Sequence, residues 1–565
     1  MAYFEVNVRG IAVHGKTQWT SRAHSWLATT LTTVCLTGGA GIANGQVQAP
    51  DPHALGTVDF PISCAKPVQD DFNRAIALLH HMTYPRARES FEQVAKSDPR
   101  CAMAHWGVAM TLFQPLWPTR PGPPELRRGW EAVQAARALG LPTERERLFV
   151  DAAAAFFGQP ESTDYWQRIR RWERAMERAS TAFPRDAEVS AFYALAHLAA
   201  APSDTTARAH AERAVVRLVA VLERNPDHPG AMHYLVHAND TPGRERESPD
   251  IVRKYETTAP RNPHALHMPT HIYTRLGEWD AVIRGNLEAA DAALEHPAGD
   301  DGQLVWDEFP HAIEYLLYAY LQRGSDDEAA AQVKRLHQTA RLQPTFKTAF
   351  HLASTRARYA LERRAWREAM SLAPREPATL DWDRFTWPEA VTWFARGLGA
   401  ARDGRPRNAR AAADRLGVLE ATAESAGEGL FARNIRILRL EVEAWRAHAE
   451  RDTQSGVALM REAAELEVAT PKHAVTPGPT LPAYELLGDL LLEQARPAEA
   501  LAAYGRSLEL YPRRFNSLLG AARAARAAGD EAGARTFYQG LLHQAGKGTR
   551  RSALDEARTF VSRQR

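Results

Sequence analysis

The chain has 565 residues, of which 24% are charged and 45% are hydrophobic, so its composition predicts a globular rather than a disordered protein. Its 70 basic and 68 acidic residues leave a net charge of +2, which gives no electrostatic case for a nucleic-acid partner.

The first 43 residues predict an export signal. Arg22 precedes an apolar stretch, Trp26 to Leu36, and Gly41-Ile42-Ala43 supplies the small residues of a signal-peptidase site. That stretch is too short to span a bilayer, and no later segment is apolar for long enough. The alternative is a disordered cytosolic extension. We therefore expect a periplasmic or extracellular protein with no transmembrane anchor after signal removal.

The rest of the chain predicts helical hairpins in one array rather than separable domains. Strand-type alternation is scarce, and proline-rich breaks separate the helical patterns. We divide it into a linker (44–67), partly irregular hairpins (68–228), central repeats (229–342), further hairpins (343–475), regular repeats (476–546) and a basic tail (547–565).

A period of 34 residues marks the centre of the chain. His233 and His237 of HYLVH are followed 34 residues later by His267 and His271 of HALHMPTHIY. The segment LPAYELLGDLLLEQARPAEALAAYGRSLELYP, residues 481–512, carries a second regular pattern. These segments resemble the tetratricopeptide repeat family. The resemblance implies an all-α fold, a tetratricopeptide-type α-solenoid built from helical hairpins.

Longer phrases extend the resemblance. HPGAMHYLVHA and HALHMPTHIYTRLGEW are similar to phrases of a group of exported bacterial tetratricopeptide proteins that has no assigned activity. This resemblance implies a fold and export, and it implies no reaction.

The turn glycines Gly243, Gly277 and Gly324 set the register of the central repeats. Residues ten and six before each glycine, and thirteen before the last two, occupy equivalent places on the first helix of a repeat. The resemblance places such residues on the concave groove of the superhelix. The residues concerned are His233, His237, His264, His267, His271, His311, Glu314 and Tyr318, with His80 and Asp240 also pointing inward.

This surface predicts a transition-metal site. Imidazole suits copper, zinc and iron, and two i, i+4 histidine pairs on neighbouring helices can converge on one ion. We predict His233, His237, His267 and His271 as ligands, with His264, His311, His80 and Asp240 as further candidates. Glu314 and Tyr318 are candidate catalytic residues, and Asp240 is a candidate for orienting a histidine. Pro269, between His267 and His271, predicts a kink that re-aims the second pair.

Two functions remain open at this point. One is metal binding in the groove, with redox or hydrolytic activity; the other is a metal-free periplasmic scaffold that binds a peptide, protein or small molecule there. HExxH, phosphate-loop, GxGxxG and CxxCH motifs are lacking, so the sequence carries no zincin, nucleotide or haem signature. Whether the protein is an enzyme stays undecided.

Two cysteines, Cys64 and Cys101, precede or begin first helices of consecutive repeats. Because neighbouring first helices in such an array pack side by side, we predict a disulfide between them. The alternative is a pair of free, buried thiols.

Overall fold

A computed structural model describes residues 54–117, 120–159, 161, 164–201, 207–299 and 302–562. The predicted export signal therefore lies outside the described residues. The described part is built almost wholly from α-helices, which confirms the predicted all-α solenoid. No described helix is long and apolar enough to cross a membrane.

The N-terminal helices pair in antiparallel hairpins whose starts are fixed by local capping. The Thr143 hydroxyl accepts from the Glu146 amide, and the carboxylates of Asp164 and Asp186 accept from the amides of Gln167 and Val189. The helices are α1 (Gln69–His80), α2 (Tyr84–Ser97), α3 (Ala102–Thr111), α4 (Pro123–Leu139), α5 (Glu144–Phe157), α6 (Tyr165–Ala182), α7 (Ala187–Ala200) and α8 (Ala207–Arg224).

The central helices carry most of the histidines. Pro269 has no amide hydrogen to donate, and the helix breaks there as predicted. The short sheet that follows α13 lies in the insertion after the second repeat, where no strand was predicted. The elements are α9 (Pro229–Asn239), α10 (Pro249–Thr258), α11 (Pro263–His267), α12 (Pro269–Leu276), α13 (Trp279–Leu294), β1 (Pro297–Ala298), antiparallel β2 (Leu304–Val305), α14 (Glu308–Gln322) and α15 (Asp326–Gln338).

The C-terminal helices continue the array. Gly488 and Gly520 both lie against the ring of Tyr504, where a Cβ atom would approach the ring to 2.7 and 2.2 Å, so the close helix packing needs glycine at both places. The helices are α16 (Phe346–Glu362), α17 (Trp366–Ser371), α18 (Thr386–Arg402), α19 (Pro406–Ser425), α20 (Gly429–Ala449), α21 (Thr453–Ala469), α22 (Ala483–Glu493), α23 (Pro497–Leu510), α24 (Phe515–Ala527), α25 (Glu531–Gln544) and α26 (Ser552–Ser562).

The superhelix closes, because the last repeats pack against the central ones. The Trp279 indole donates to the carbonyl of Arg513 at 3.1 Å, and the Phe515 amide donates to the Gln322 side chain at 2.9 Å. Gly277 permits this approach, since a Cβ atom there would lie 2.7 Å from the carbonyl oxygen of Pro512. The last repeats therefore cover part of the predicted groove.

The proline-rich loop before α22 contributes to the closure. Arg358, which is fully buried on α16, donates to the carbonyls of Pro479 at 2.7 Å and Gly478 at 3.0 Å. The hydroxyl of Tyr315 on α14 donates to the carbonyl of Thr476 at 3.2 Å. These bonds hold the loop against the helices that carry the histidines.

Near the N-terminus, Cys64 and Cys101 form a disulfide, with Cα atoms 4.8 Å apart. This is the pairing that the repeat spacing predicted. The Asp98 carboxylate also accepts from the Ala65 amide at 2.8 Å, so the segment before α1 is tied to the start of α3 at two places.

Candidate metal centre

Six of the predicted histidines form two adjacent groups of three. In each group one nitrogen from every ring lies within 4.8 Å of the other two. Each group combines an i, i+4 pair with one histidine from the start of the next repeat. We name them the first triad (His233, His237 and His264) and the second triad (His267, His271 and His311).

In the first triad, His233 and His264 face each other through Nε2 atoms 3.1 Å apart. Nδ1 of His233 donates to the backbone carbonyl of His80 at 2.6 Å. Nδ1 of His264 donates to the carboxylate of Glu308 at 3.0 Å. Both acceptors lack a proton, so they place the single ring proton of each neutral histidine on Nδ1.

The second triad repeats this arrangement with different acceptors. Nε2 atoms of His267 and His271 lie 2.9 Å apart. Nδ1 of His267 donates to the side-chain oxygen of Asn286 at 2.6 Å, and Nδ1 of His271 donates to the carboxylate of Asp240 at 2.8 Å. The amide nitrogen of Asn286 donates to the Val282 carbonyl at 2.8 Å, which fixes its oxygen toward His267.

In both pairs, therefore, two nitrogen lone pairs point at each other. A neutral pair of this kind has no proton to share, and the contact is repulsive without a cation. Two nitrogens bound to one tetrahedral ion at 2.0–2.1 Å lie about 3.3 Å apart, close to both observed separations. Histidine with Nδ1 bonded to a carboxylate or carbonyl is the usual arrangement behind a metal.

The third histidine of each triad also presents a free nitrogen. Nε2 of His237 is buried and has no hydrogen-bond partner among the described residues. Nδ1 of His311 lies 3.0 Å from Nε2 of His351, whose Nδ1 donates to Glu314. This relay puts the His311 proton on Nδ1 and leaves its Nε2 free as a ligand.

Burial favours the neutral form, which binds metals, in five of the six rings. It lowers the pKa of His233, His237, His267 and His311 well below the usual value. Burial also lowers the pKa of His271, to about 4.

The carboxylates behind the histidines are ionised. Burial alone would raise the pKa of Glu308, but the charge of Lys347 and the neighbouring His264 hold it well below its usual range. Burial likewise opposes ionisation of Asp240, and Lys472 and Arg275 lower its pKa well below its usual range. The two triads thus have one buried carboxylate each to balance a bound cation.

The triads adjoin each other. The ring centroids of His237 and His271 are 6.1 Å apart. A void of about 20 Å³ lies between the groups, lined by His237 and His264 of the first triad and by His271 and His311 of the second. A void of this size holds one water-sized ligand in reach of both groups.

Aromatic side chains cover the triads. The ring of Trp117 lies 5.6 Å from that of His264, and the Lys347 ammonium sits 3.7 Å from the Trp117 ring centroid. The ring of Tyr315 lies 4.6 Å from His267 and 4.9 Å from His271. The histidines are therefore mostly buried, rather than exposed on an open groove as the sequence predicted.

A much larger cavity, about 1040 Å³, adjoins the first triad. His237 and Asp240 line it, and Trp387, Phe431 and Glu441 form other parts of its wall. His237 is the one half-buried member of the two triads. It gives the first triad a route to a molecule bound in this cavity.

Several predicted residues lie elsewhere. Glu314 stands behind His351 and also pairs with Arg358, so it touches neither Nε2 pair. The Tyr318 hydroxyl accepts from Arg514 at 2.8 Å, and Tyr315, three residues earlier, contacts the histidines in its place. The expected convergence of both i, i+4 pairs on one ion is replaced by two groups.

His80 belongs to a separate buried network. Its Nε2 lies 2.8 Å from Glu188 and its Nδ1 lies 2.9 Å from the Tyr234 hydroxyl. His228 accepts from the Ala231 amide through Nδ1, and its Nε2 is 3.3 Å from Glu188. Three of the four ring nitrogens here have a hydrogen-bond partner, and Nε2 of His228 has none among the described residues. To the first triad His80 contributes only its carbonyl.

Sequence reasoning missed the residues behind the triads. Glu308 and Tyr315 lie on α14, three residues before and four residues after His311, while Asn286 and Lys347 lie on α13 and α16. The third histidine of each triad could be found from the sequence, because His264 and His311 both lie thirteen residues before a turn glycine.

Comparison with known proteins agrees with the repeat pattern. A family model described as tetratricopeptide repeat matches residues 72–114 and 486–549. No curated protein sequence matches the chain.

Two crystal structures are similar to most of the chain, at low scores. One is the APC/C hetero-tetramer Cut9–Hcn1, with a TM-score of 0.29 and 14% identity over 87% of this chain and 90% of that one. The other is the P58(IPK) TPR domain, with a TM-score of 0.19 and 12% identity over 88% of this chain and 100% of that one. The chain therefore contains tetratricopeptide repeats, matched near the start and near the end of its described part.

Proposed function

We propose that the protein binds two transition-metal ions, one in the first triad and one in the second. The facing Nε2 lone pairs carry this proposal: His233 meets His264 at 3.1 Å, and His267 meets His271 at 2.9 Å. The acceptors on the far side of each ring leave no proton for these contacts. A cation bound between the nitrogens removes the repulsion.

The donor set favours copper, with zinc and iron as the other candidates. All six proposed ligands are imidazoles, and the carboxylates of Glu308 and Asp240 face the Nδ1 atoms instead of the site. Carboxylates are the ligands that hard cations require, so this set disfavours magnesium and calcium. Affinities of nitrogen ligands rise to a maximum at copper.

The adjoining triads support redox or hydrolytic chemistry on a molecule in the large cavity. Two copper ions would supply one electron each, whereas zinc would activate a water. The protein's own part is to hold both groups next to one small void, lined by His237, His264, His271 and His311. Trp117 also lines this void and packs against His264, and Tyr315 packs against His267.

Elemental analysis of untagged protein, loaded with Cu²⁺ or Zn²⁺ and freed of excess metal, tests the proposal. We expect two ions per chain, one in His233→Ala, one in His267→Ala and none in the double variant. His543→Ala is the matched control, because His543 is exposed on α25, and it should keep both ions. Wild type without metal, or a double variant with unchanged metal, contradicts the proposal.

A metal-free scaffold is the second candidate. Tetratricopeptide repeats generally bind peptides or proteins, and the cavity of about 1040 Å³ has room for part of a partner. This function is favoured if the protein holds no metal and a partner bound in solution is displaced by substitutions at Trp387 or Phe431.

We also infer that the protein acts outside the cytoplasm. The apolar segment before residue 43 supports export, and the Cys64–Cys101 disulfide is of a kind that persists in oxidising compartments. Fusion of residues 1–60 to alkaline phosphatase tests this. Phosphatase activity in the periplasm supports export, and activity restricted to a strain with an oxidising cytoplasm contradicts it.

A further inference from the structure

One face of α20 forms a long wall of the large cavity. Leu430, Asn434, Leu438 and Glu441 line it at helical spacing, with Ile437 beside Leu438. Ten residues separate Phe431 from Glu441, which corresponds to about 15 Å along the helix. The wall begins with the aromatic Phe431, continues through Arg433 and Asn434 to the apolar Ile437 and Leu438, and ends at the acidic Glu441.

Glu441 is the unusual member of this wall. Its side chain is fully buried, and both carboxyl oxygens lack a hydrogen-bond partner among the described residues. No described lysine or arginine forms an ion pair with it. A buried carboxylate in this state is costly, so the group needs either a proton or a cation from outside the chain.

The groups that face Glu441 do not supply that cation. Glu467, on α21, is the titratable neighbour that acts on it, and burial together with Glu467 raises the pKa of Glu441 well above the usual value. Glu467 itself accepts from the Ala483 amide at 3.2 Å and from the Tyr511 hydroxyl at 3.2 Å. The guanidinium of Arg514 instead pairs with Glu485, donating from Nε to the Glu485 carboxylate at 2.9 Å.

We propose that Glu441 anchors the ammonium or guanidinium group of an organic cation bound in the large cavity. Ile437 and Leu438, one turn before Glu441, provide apolar contacts for the atoms next to that group. The exchange balances in charge: the carboxyl proton passes to solvent as the carboxylate pairs with the ligand cation. Glu467, on α21, provides a second acidic group that lines the cavity.

The site needs no metal, so it goes beyond the proposed metal function. Its position does connect the two, because His237 of the first triad lines the same cavity. A cation held by Glu441 would present the rest of the molecule along α20 within that cavity.

Calorimetric titration with 2-phenylethylamine tests the proposal, with 2-phenylethanol as the neutral isostere. We expect the amine to bind at least tenfold tighter than the alcohol, and Glu441→Gln to lose at least tenfold of the amine affinity. Glu443→Gln is the matched control on the same helix, because Glu443 pairs with Arg439 and does not line the cavity. It should leave the affinity unchanged.

Two further measurements make the result decisive. Titration in buffers of different ionisation heat should show proton release on amine binding by the wild type, and less by Glu441→Gln. Thermal unfolding of Glu441→Gln should be no lower than that of the wild type, because the substitution removes an unpaired buried carboxyl.

Equal affinity for amine and alcohol, an unaffected Glu441→Gln variant, or no amine binding up to about 10 mM overturns the proposal. Repeating the titration on chelator-treated protein separates it from the metal function. Amine binding in metal-free protein supports the Glu441 site even if the triads bind nothing.

Discussion

The histidine triads and the carboxyl pair Glu441–Glu467 both bury polar atoms, yet the residues behind those atoms differ. Behind each facing histidine stands an acceptor that fixes its proton, such as Glu308 behind His264. Behind Glu441 stands only another acid. If the triads hold ions as proposed, they are preorganised for an ion that stays bound, whereas the acid pair depends on a proton or on a ligand that binds reversibly.

Removing metal should give the largest effect. We expect chelation of the loaded protein to lower its stability by about 4 kcal/mol per ion, the stabilisation from a ligand at a thousand times its dissociation constant. Chemical unfolding before and after dialysis against EDTA measures this change. The Glu441→Gln variant should lose as much stability as the wild type on chelation, and the His233→Ala/His267→Ala variant should lose none. The reverse pattern would contradict the distinction between the two regions.

Stability should depend on pH through the acid pair. The pKa of Glu467 is raised by burial from 4.5 to about 7, so between these values the unfolded chain releases a proton that the folded chain keeps. The free energy of unfolding therefore falls as pH rises, by about 1.4 kcal/mol per pH unit and roughly 3 kcal/mol across the interval. Above about pH 7 the contribution of Glu467 ends, and Glu441, whose pKa is also raised, adds a decline of the same sign.

Denaturant unfolding of wild type and Glu467→Gln at about pH 5 and about pH 7 measures it. The free energy of unfolding of the variant should rise relative to that of the wild type as pH rises, because the glutamine amide does not titrate. A stability difference that is the same at both pH values would show that Glu467 ionises normally in the fold.

Changing the acceptors behind the triads should have a smaller effect. We expect Glu308→Gln to weaken metal binding at the first triad, and Asp240→Asn at the second, by about 10- to 100-fold. Competition with a chromogenic chelator reports the two affinities. Glu188→Gln is the control, because Glu188 is equally buried but serves the His80 network; an equal loss there would indicate a general effect on folding.

The smallest effect is expected at Lys472, which follows Glu467 by five residues in sequence and pairs with Asp240 at 2.8 Å. Its positive charge opposes a cation at His271. Lys472→Met should therefore raise the affinity of the second triad by a few fold in the same competition assay. A loss of affinity would mean that Lys472 mainly holds Asp240 in place.

Much of this centre was within reach of the sequence. The 34-residue period and the turn glycines place His233, His237, His267 and His271 on equivalent helix faces, because helical periodicity is a local property. The misplacement of Glu314 and Tyr318 shows the limit. Their register was right, but the insertion after α13 and the packing of α16 put His351 in front of Glu314 and turned Tyr315 toward the histidines.

By itself, the sequence determined the helical hairpins, the repeat register and the histidine faces, since each follows from short-range spacing along a helix. The tertiary structure alone decided that His264 and His311 complete two triads, that the C-terminal repeats close the groove over them, and that Glu441 is buried without a cation. These features depend on which distant helices meet, and the burial and lone-pair contacts that follow from those meetings leave no periodic trace in the chain.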